Sequence, residues 1–240
     1  MKTTIKFLSV ACLLAFSFCL TGCFGDYWGI KGEGPSISEE RSLENFHSLA
    51  NTVNATLYLK QGSQEDIRIE AQENILANLV TEVHNGTLKI GWDENVYSHD
   101  GIRIYISIPQ VQELKLSGSG EIFGQNTITG GSLRVHVSGS GEVELNAEVE
   151  EMEAAISGSG EMNIGGLAER LNVRVSGSGE IDALQMEAIE AAVQVSGSGD
   201  VLVNVRDHLD VNISGSGDLG YEGNPVVQSS ISGSGDLRKL

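Results

Sequence analysis

The chain has 240 residues and a formal net charge of −18 at pH 7, from 33 acidic against 15 basic residues. So acidic a surface repels nucleic acid and anionic polymers, and this excludes them as partners. Its three cysteines, Cys12, Cys19 and Cys23, fall in or beside one apolar amino-terminal stretch, so the rest of the chain has neither a disulfide framework nor a cysteine metal site.

Lys2 and Lys6 precede an apolar run over 7–20 that is too short and wrongly flanked to span a membrane. Leu20, Thr21, Gly22 and Cys23 then match the bacterial lipobox: apolar, small, small, cysteine. The match implies a leader over 1–22, cleavage before Cys23 and a diacylglycerol on its sulfur. Loss of Lys2 and Lys6 takes the charge from −18 to −20. The mature chain is then attached to a membrane through its lipid alone. Phe24 stands where the inner-membrane retention signal of lipoproteins, an Asp, would sit, which favours the outer membrane. Residues 23–42, rich in Gly and containing Pro35, read as a tether, with Tyr27 and Trp28 suited to the membrane interface.

Residues 43–110 read as a β-rich cap. Strand-like runs occur at 55–59, 67–71, 87–91 and 102–108, and Asn85-Gly86 marks a tight turn before the third. Residues 73–83 carry apolar residues at helical spacing, with a strand at their end an equal alternative. Solenoids need such caps because an open end exposes unpaired backbone and core. Within the cap, Trp92, Tyr97, His99 and Asp100 lie in the loop-like GWDENVYSHDG and offer the one local cluster with recognition chemistry. A surface turn with Trp92 packed on the cap is the plainer reading.

From 111 to 240 a motif recurs. Ser-Gly-Ser-Gly-acid begins at Ser117, Ser138, Ser157, Ser176, Ser196, Ser214 and Ser232, at intervals of 21, 19, 19, 20, 18 and 18 residues. Such a period is the signature of a solenoid. In LRVHVSGSGEVEL, Leu, Val, Val, Gly, Gly, Val and Leu share one face, and this period of two means strand. Both glycines of each motif are expected to face inward and let the coil narrow. A flexible linker would not keep apolar flanks in register. A lone coil has no core, so identical positions must stack as ladders roughly 4.8 Å apart. The predicted fold is all-β: a right-handed parallel β-helix of 18–21-residue coils behind a β-rich cap. A left-handed helix of six-residue faces would need an apolar residue at every sixth position, and the chain lacks that regularity.

The acids Glu121, Glu142, Glu161, Glu180, Asp200, Asp218 and Asp236 then form one outer line. Neighbours repel by a little under ~1 kcal/mol in water. Calcium would relieve this, and oxygen ligands suit it; a solvated, screened ladder is the alternative. The secreted-toxin calcium repeats place Asp two residues after the last Gly in a nine-residue period, a pattern unlike this one. Paired Ser rows differ from the flat, uncharged Thr ladders of ice binders. His47, His84, His99, His136 and His208 are scattered and complete no relay, and near-constant coil lengths leave no lyase groove. After Tyr105 only Phe123 and Tyr221 are aromatic, so no aromatic platform for sugars is expected on the coils.

The lipobox, the turn NGTLKI and the serial SGSGE and SGSGD rungs together resemble the auto-transporter adhesin head, or GIN-domain, family of Bacteroidetes, over about residues 43–240. The resemblance implies a pectin-lyase-like β-helix without catalytic residues and a role in adhesion. The expectation is thus a non-enzymatic, lipid-anchored outer-membrane protein facing the periplasm or the exterior, with a protein or glycan ligand and no cofactor. A structural or signalling partner of another envelope protein and a polysaccharide-active β-helix enzyme are the alternatives. The carboxyl end has no cap of its own, so a homo-oligomer is open.

Overall fold

Alternation of apolar and polar residues continues almost unbroken from one coil into the next, and the backbone follows it. The computed structural model describes residues 29–240. The leader, Cys23, Phe24, Tyr27 and Trp28 lie outside the described residues. Long bent strands, Glu142–Gly158, Glu161–Gly177, Glu180–Gly197 and Asp200–Gly215, each run round most of one coil and pair in parallel with the coil before and after. The result is the expected parallel β-helix.

Two inner ladders carry the core. One runs Leu88, Leu49, Leu114, Val135, Ala154, Val173, Val193, Val211 and Ser229. The other runs Ile104, Leu57, Ile122, Val143, Met162, Ile181, Val201, Leu219 and Leu237. All but the last rung of each is buried. Burying one Leu, Ile or Val contributes roughly 1.5–3 kcal/mol, so the ladders are the main source of stability.

The stack does not begin at 111. Ser48–Asn51 and Thr56–Gln61 pair in parallel with Glu113–Gly118 and Glu121–Gly124 on one side. On the other side they pair with Thr87–Trp92 and Arg103–Ile108. Two coils of the solenoid therefore lie inside 43–110, and the chain fills them out of order. The part of this region that closes the end is antiparallel. Leu79–His84 pairs with Thr87–Trp92, Ile67–Gln72 with Arg103–Ile108, and Ser36–Arg41 with Ile67–Gln72. A short helix, Glu73–Asn78, links two of these strands, so the segment over 73–83 is helix first and strand after. Asn85 and Gly86 make the tight turn with φ of 51° and 72°.

The segment read as a tether is built into the domain from residue 29 onward. Ile30–Lys31 pairs with Val96–Ser98. Arg41 fastens the following strand, donating to the carbonyls of Leu76 (2.7 Å) and Leu79 (2.6 Å) and to Thr81 Oγ1 (3.1 Å). These carbonyls sit at the end of the short helix, where a cation is favoured.

The two glycines of each motif do different jobs. The second faces inward as expected: a Cβ on Gly160 would lie 2.6 Å from Val137 Cγ1 and 2.7 Å from the Gly141 carbonyl oxygen. The first turns the corner, with positive φ from 99° at Gly118 to 133° at Gly215, and is not a core position. A Cβ on Gly158 would lie 2.5 Å from the Gly139 oxygen. That oxygen accepts the Ser159 amide at 2.8 Å, a bond that recurs at each later corner. In the coil 48–61 the corner is made without glycine. Buried Asn51 donates to the Val53 carbonyl at 2.9 Å and accepts its amide at 3.3 Å.

Unequal coil lengths are absorbed by bulges. Register shifts fall between Asn163 and Gly166 where the coil lengthens, and between Ala183 and Glu187 where it shortens again. Gly160→Ala is expected to destabilise the fold by roughly 1–3 kcal/mol, which lowers the melting temperature by several degrees in circular dichroism. Ser159→Ala, on the exposed side of the same corner, should change it by no more than about 0.5 kcal/mol.

Candidate functional site

The corner fixes the acids. Glu121, Glu142, Glu161, Glu180 and Asp200 pair one above another in strict register. At the lower end Thr56 Oγ1 donates to Glu121 at 2.9 Å. At the upper end, where coils have 18 residues, the carboxylates turn onto backbone. Asp200 accepts the Asp218 amide at 3.1 Å and Asp218 accepts the Asp236 amide at 2.9 Å. In the longer coils the second glycine's carbonyl accepts that amide instead, as Gly141 does from Glu161 at 3.0 Å. The change from Glu to Asp along the ladder thus has a local cause: the shorter side chain reaches the amide. Among the described residues no group of three or more His, Cys, Asp or Glu side chains is placed to hold a metal ion.

Burial raises the Glu142 carboxyl above its ordinary 4.5, with Glu161, Glu121 and Glu144 adding repulsion. The fold therefore binds this proton more tightly than the unfolded chain does. Its contribution to stability is present at low pH and is lost as pH rises through the raised value.

Trp92, Tyr97, His99 and Asp100 lie together only in part. The Trp92 and His99 rings are 6.1 Å apart and tilted by 53°, and Trp92 packs on the core. Burial lowers the His99 pKa from its ordinary 6.5, with Asp100 opposing. Asp100 is held by buried Gln72, which accepts its amide at 3.1 Å and donates to its carboxylate at 3.2 Å. Buried Asn78 grips the Glu94 backbone, donating to its carbonyl at 2.7 Å and accepting its amide at 2.8 Å. Tyr97 is exposed. The loop is pinned from beneath and flanked by Ile30–Lys31.

Two features were not read from the sequence. Tyr105, Tyr58 and Phe123 stack on one outer wall with centroids 5.0 and 6.0 Å apart, and Arg68 lies 3.9 Å over the Tyr105 ring. Their ring faces cover one another, so the ladder staples three coils and offers edges rather than a flat platform.

The second lies on the wall before the corner. Asn172, Arg174, Gln194, Asp210, Asn212 and Gln228 line an open depression of about 470 Å³. It dips because Ala192 occupies the outward row between Asn172 and Asp210. Arg174 pairs with Glu153 at 2.5 Å. The side chains of Gln194, Asn212 and Gln228 have no hydrogen-bond partner among the described residues, so their donors and acceptors face solvent. The signal for this wall was present in the sequence as amides at outward positions of successive coils.

His84 pairs with Glu82 at 3.1 Å and His208 with Asp210 at 3.6 Å, at different levels of the stack. Fold and walls together define a class: a regular parallel β-helix whose chemistry is displayed on its flat sides. The chain belongs to the family described as "Putative auto-transporter adhesin, head GIN domain", whose model matches residues 45–225. A crystal structure of a "putative lipid binding protein" from Parabacteroides distasonis is similar, with 27% identity and a TM-score of 0.76, over 88% of this chain and 99% of that one. A "putative adhesin" from Bacteroides fragilis has 22% identity and a TM-score of 0.84, over 88% and 100%. Another from Parabacteroides merdae has 21% identity and a TM-score of 0.74, over 88% and 98%. No curated protein matches the chain.

Glu142→Gln removes a strained charge. It is expected to raise the melting temperature at pH 7 by on the order of a degree or two, with the gain vanishing below pH 4. Thermal scans across that range at constant salt measure it.

Proposed function

We propose that this chain is a non-enzymatic binding head of the cell envelope, anchored at the outer membrane through lipidated Cys23, and that it holds a glycan or protein ligand on its amide-rich wall. The observation that carries this reading is the set of unpartnered amides of Gln194, Asn212 and Gln228 around the dip at Ala192. Amides present a donor and an acceptor side by side, as sugar hydroxyls and peptide groups require. On a flat, rigid sheet they are spaced by the coil repeat and lose little freedom on binding. Membership of an adhesin-head family supports the same reading.

Binding of the chain from residue 24 to an array of glycans and matrix proteins, with calcium and with chelator, tests it. Saturable binding should fall about tenfold or more in Gln194→Ala/Asn212→Ala, at unchanged melting temperature. Glu169→Ala, on another wall, should leave it unchanged. Equal binding by all three chains would sink the assignment of this wall.

A lipid ligand is the second reading, supported by the relative with 27% identity and by a further depression of about 460 Å³ beside exposed Leu167 and half-buried Ile189. Acyl lipids on the same array, with loss of binding in Leu167→Gln, would move the site there.

A further inference from the structure

We infer that the carboxyl-terminal pole is a docking surface for a second copy of this chain, joined edge to edge by the strand Val226–Gly233. At every lower level the inward residues are covered by the next coil. Leu209, Val211 and Ile213 are buried beneath Val227, Ser229 and Ile231. Nothing among the described residues covers those three in turn, and Ile231 is 42% exposed and neighbouring Val226 66%. The strand pairs with the coil below through His208–Gly215, and its other edge is open.

The opposite pole shows how this stack accepts a terminus. There the last parallel strands, Thr87–Trp92 and Arg103–Ile108, are each closed by an antiparallel strand. Two copies related by a two-fold axis meet antiparallel by symmetry. The terminus built within the chain at one pole is therefore the kind a second copy supplies at the other.

Charge selects the same edge. The coil from Glu180 to Gly197 carries four acids and that from Asp200 to Gly215 three, whereas residues 223–235 carry no charged side chain. An isologous contact sets a surface against itself, so acidic walls repel and this edge does not. Edge strands of monomers are commonly guarded by charge or bulges, and Val226–Gly233 has no charge to guard it.

Parity fixes the register. Opposed residues in an antiparallel pair share a face, so inward residues must oppose inward residues. The alignment centred on the three inward residues Val227, Ser229 and Ile231 puts the axis at Ser229 and leaves only Gly233 of the strand unpaired. Val227 then faces the partner subunit's Ile231, and Ser229 faces the partner subunit's Ser229. The inward residues of the two strands then cover one another, and the two acidic stacks point away from each other.

A cysteine on a two-fold axis bonds to its own copy. Opposed Cα atoms lie about 4.5–5.5 Å apart, within reach of a disulfide. Ser229→Cys is introduced into the full-length chain, produced in its native membrane and oxidised mildly. Ser230→Cys, one residue on and facing outward, and Ser157→Cys, exposed mid-stack, serve as comparisons. The expected result is a disulfide dimer of twice the mass on a non-reducing gel, at least about fivefold more abundant for Ser229→Cys than for either comparison. A Ser229→Cys chain that stays monomeric, that crosslinks no better than Ser230→Cys, or that bonds to a different protein overturns the inference.

Discussion

The fold depends on one close contact: the approach of a corner glycine to the carbonyl of the glycine one coil below. Gly158 sits over Gly139 with no room for a Cβ, and the Gly139 carbonyl holds the Ser159 amide at 2.8 Å. Each corner is thus both guest and host, so one glycine demands another in the next coil. Because corners stack without offset, everything beside them stacks too. The line of acids follows from this: an acid after one corner lies above the acid after the previous one, and the register leaves no way to stagger them. The repulsion is modest in water, and screening weakens it further.

Walls and core answer to different demands. An inward residue must fill the space set by the coils on either side, which keeps the ladders to Leu, Ile, Val, Met and Ala for most of their length. An outward residue has only to be compatible with a strand. Ala192, Gln194 and Asn212 are therefore not dictated by the core, and the dip they surround is not required by the fold. This separation lets one scaffold carry different walls, in keeping with a TM-score of 0.84 at 22% identity.

The coils were legible because their repeat is local. Period-two alternation and the glycines name strand, corner and stacking without any knowledge of distant contacts. The first glycine's role was not legible, because alternation alone places Gly139 inward and only its positive φ shows that it turns the chain. The two coils within 43–110 escaped for a related reason. Leu57 and Leu59, like Ile104 and Ile106, alternate as the later coils do, but Asn51 makes the corner where glycine was the sign to look for. The aromatic ladder escaped because its members, Tyr58, Tyr105 and Phe123, meet only through an order of stacking that differs from the order of the chain. The GWDENVYSHDG cluster was visible in composition, yet Gln72 and Asn78, which hold it, come from the helix and the strand end before it.

That order of stacking bears on how the molecule is put together. The coil over 48–61 lies between the one over 87–108 and the one over 113–124, so the first parallel coil made becomes an inner layer with a partner on each side. The layer below is supplied next, together with the antiparallel strands that seal it, and from Glu113 onward every coil is laid on the one just finished. A polypeptide emerging amino-terminus first thus assembles its own foundation before the repetitive part appears. Near-identical rungs invite slippage by one whole coil, and a foundation of unique sequence that is already closed beneath gives the first of them a single place to land.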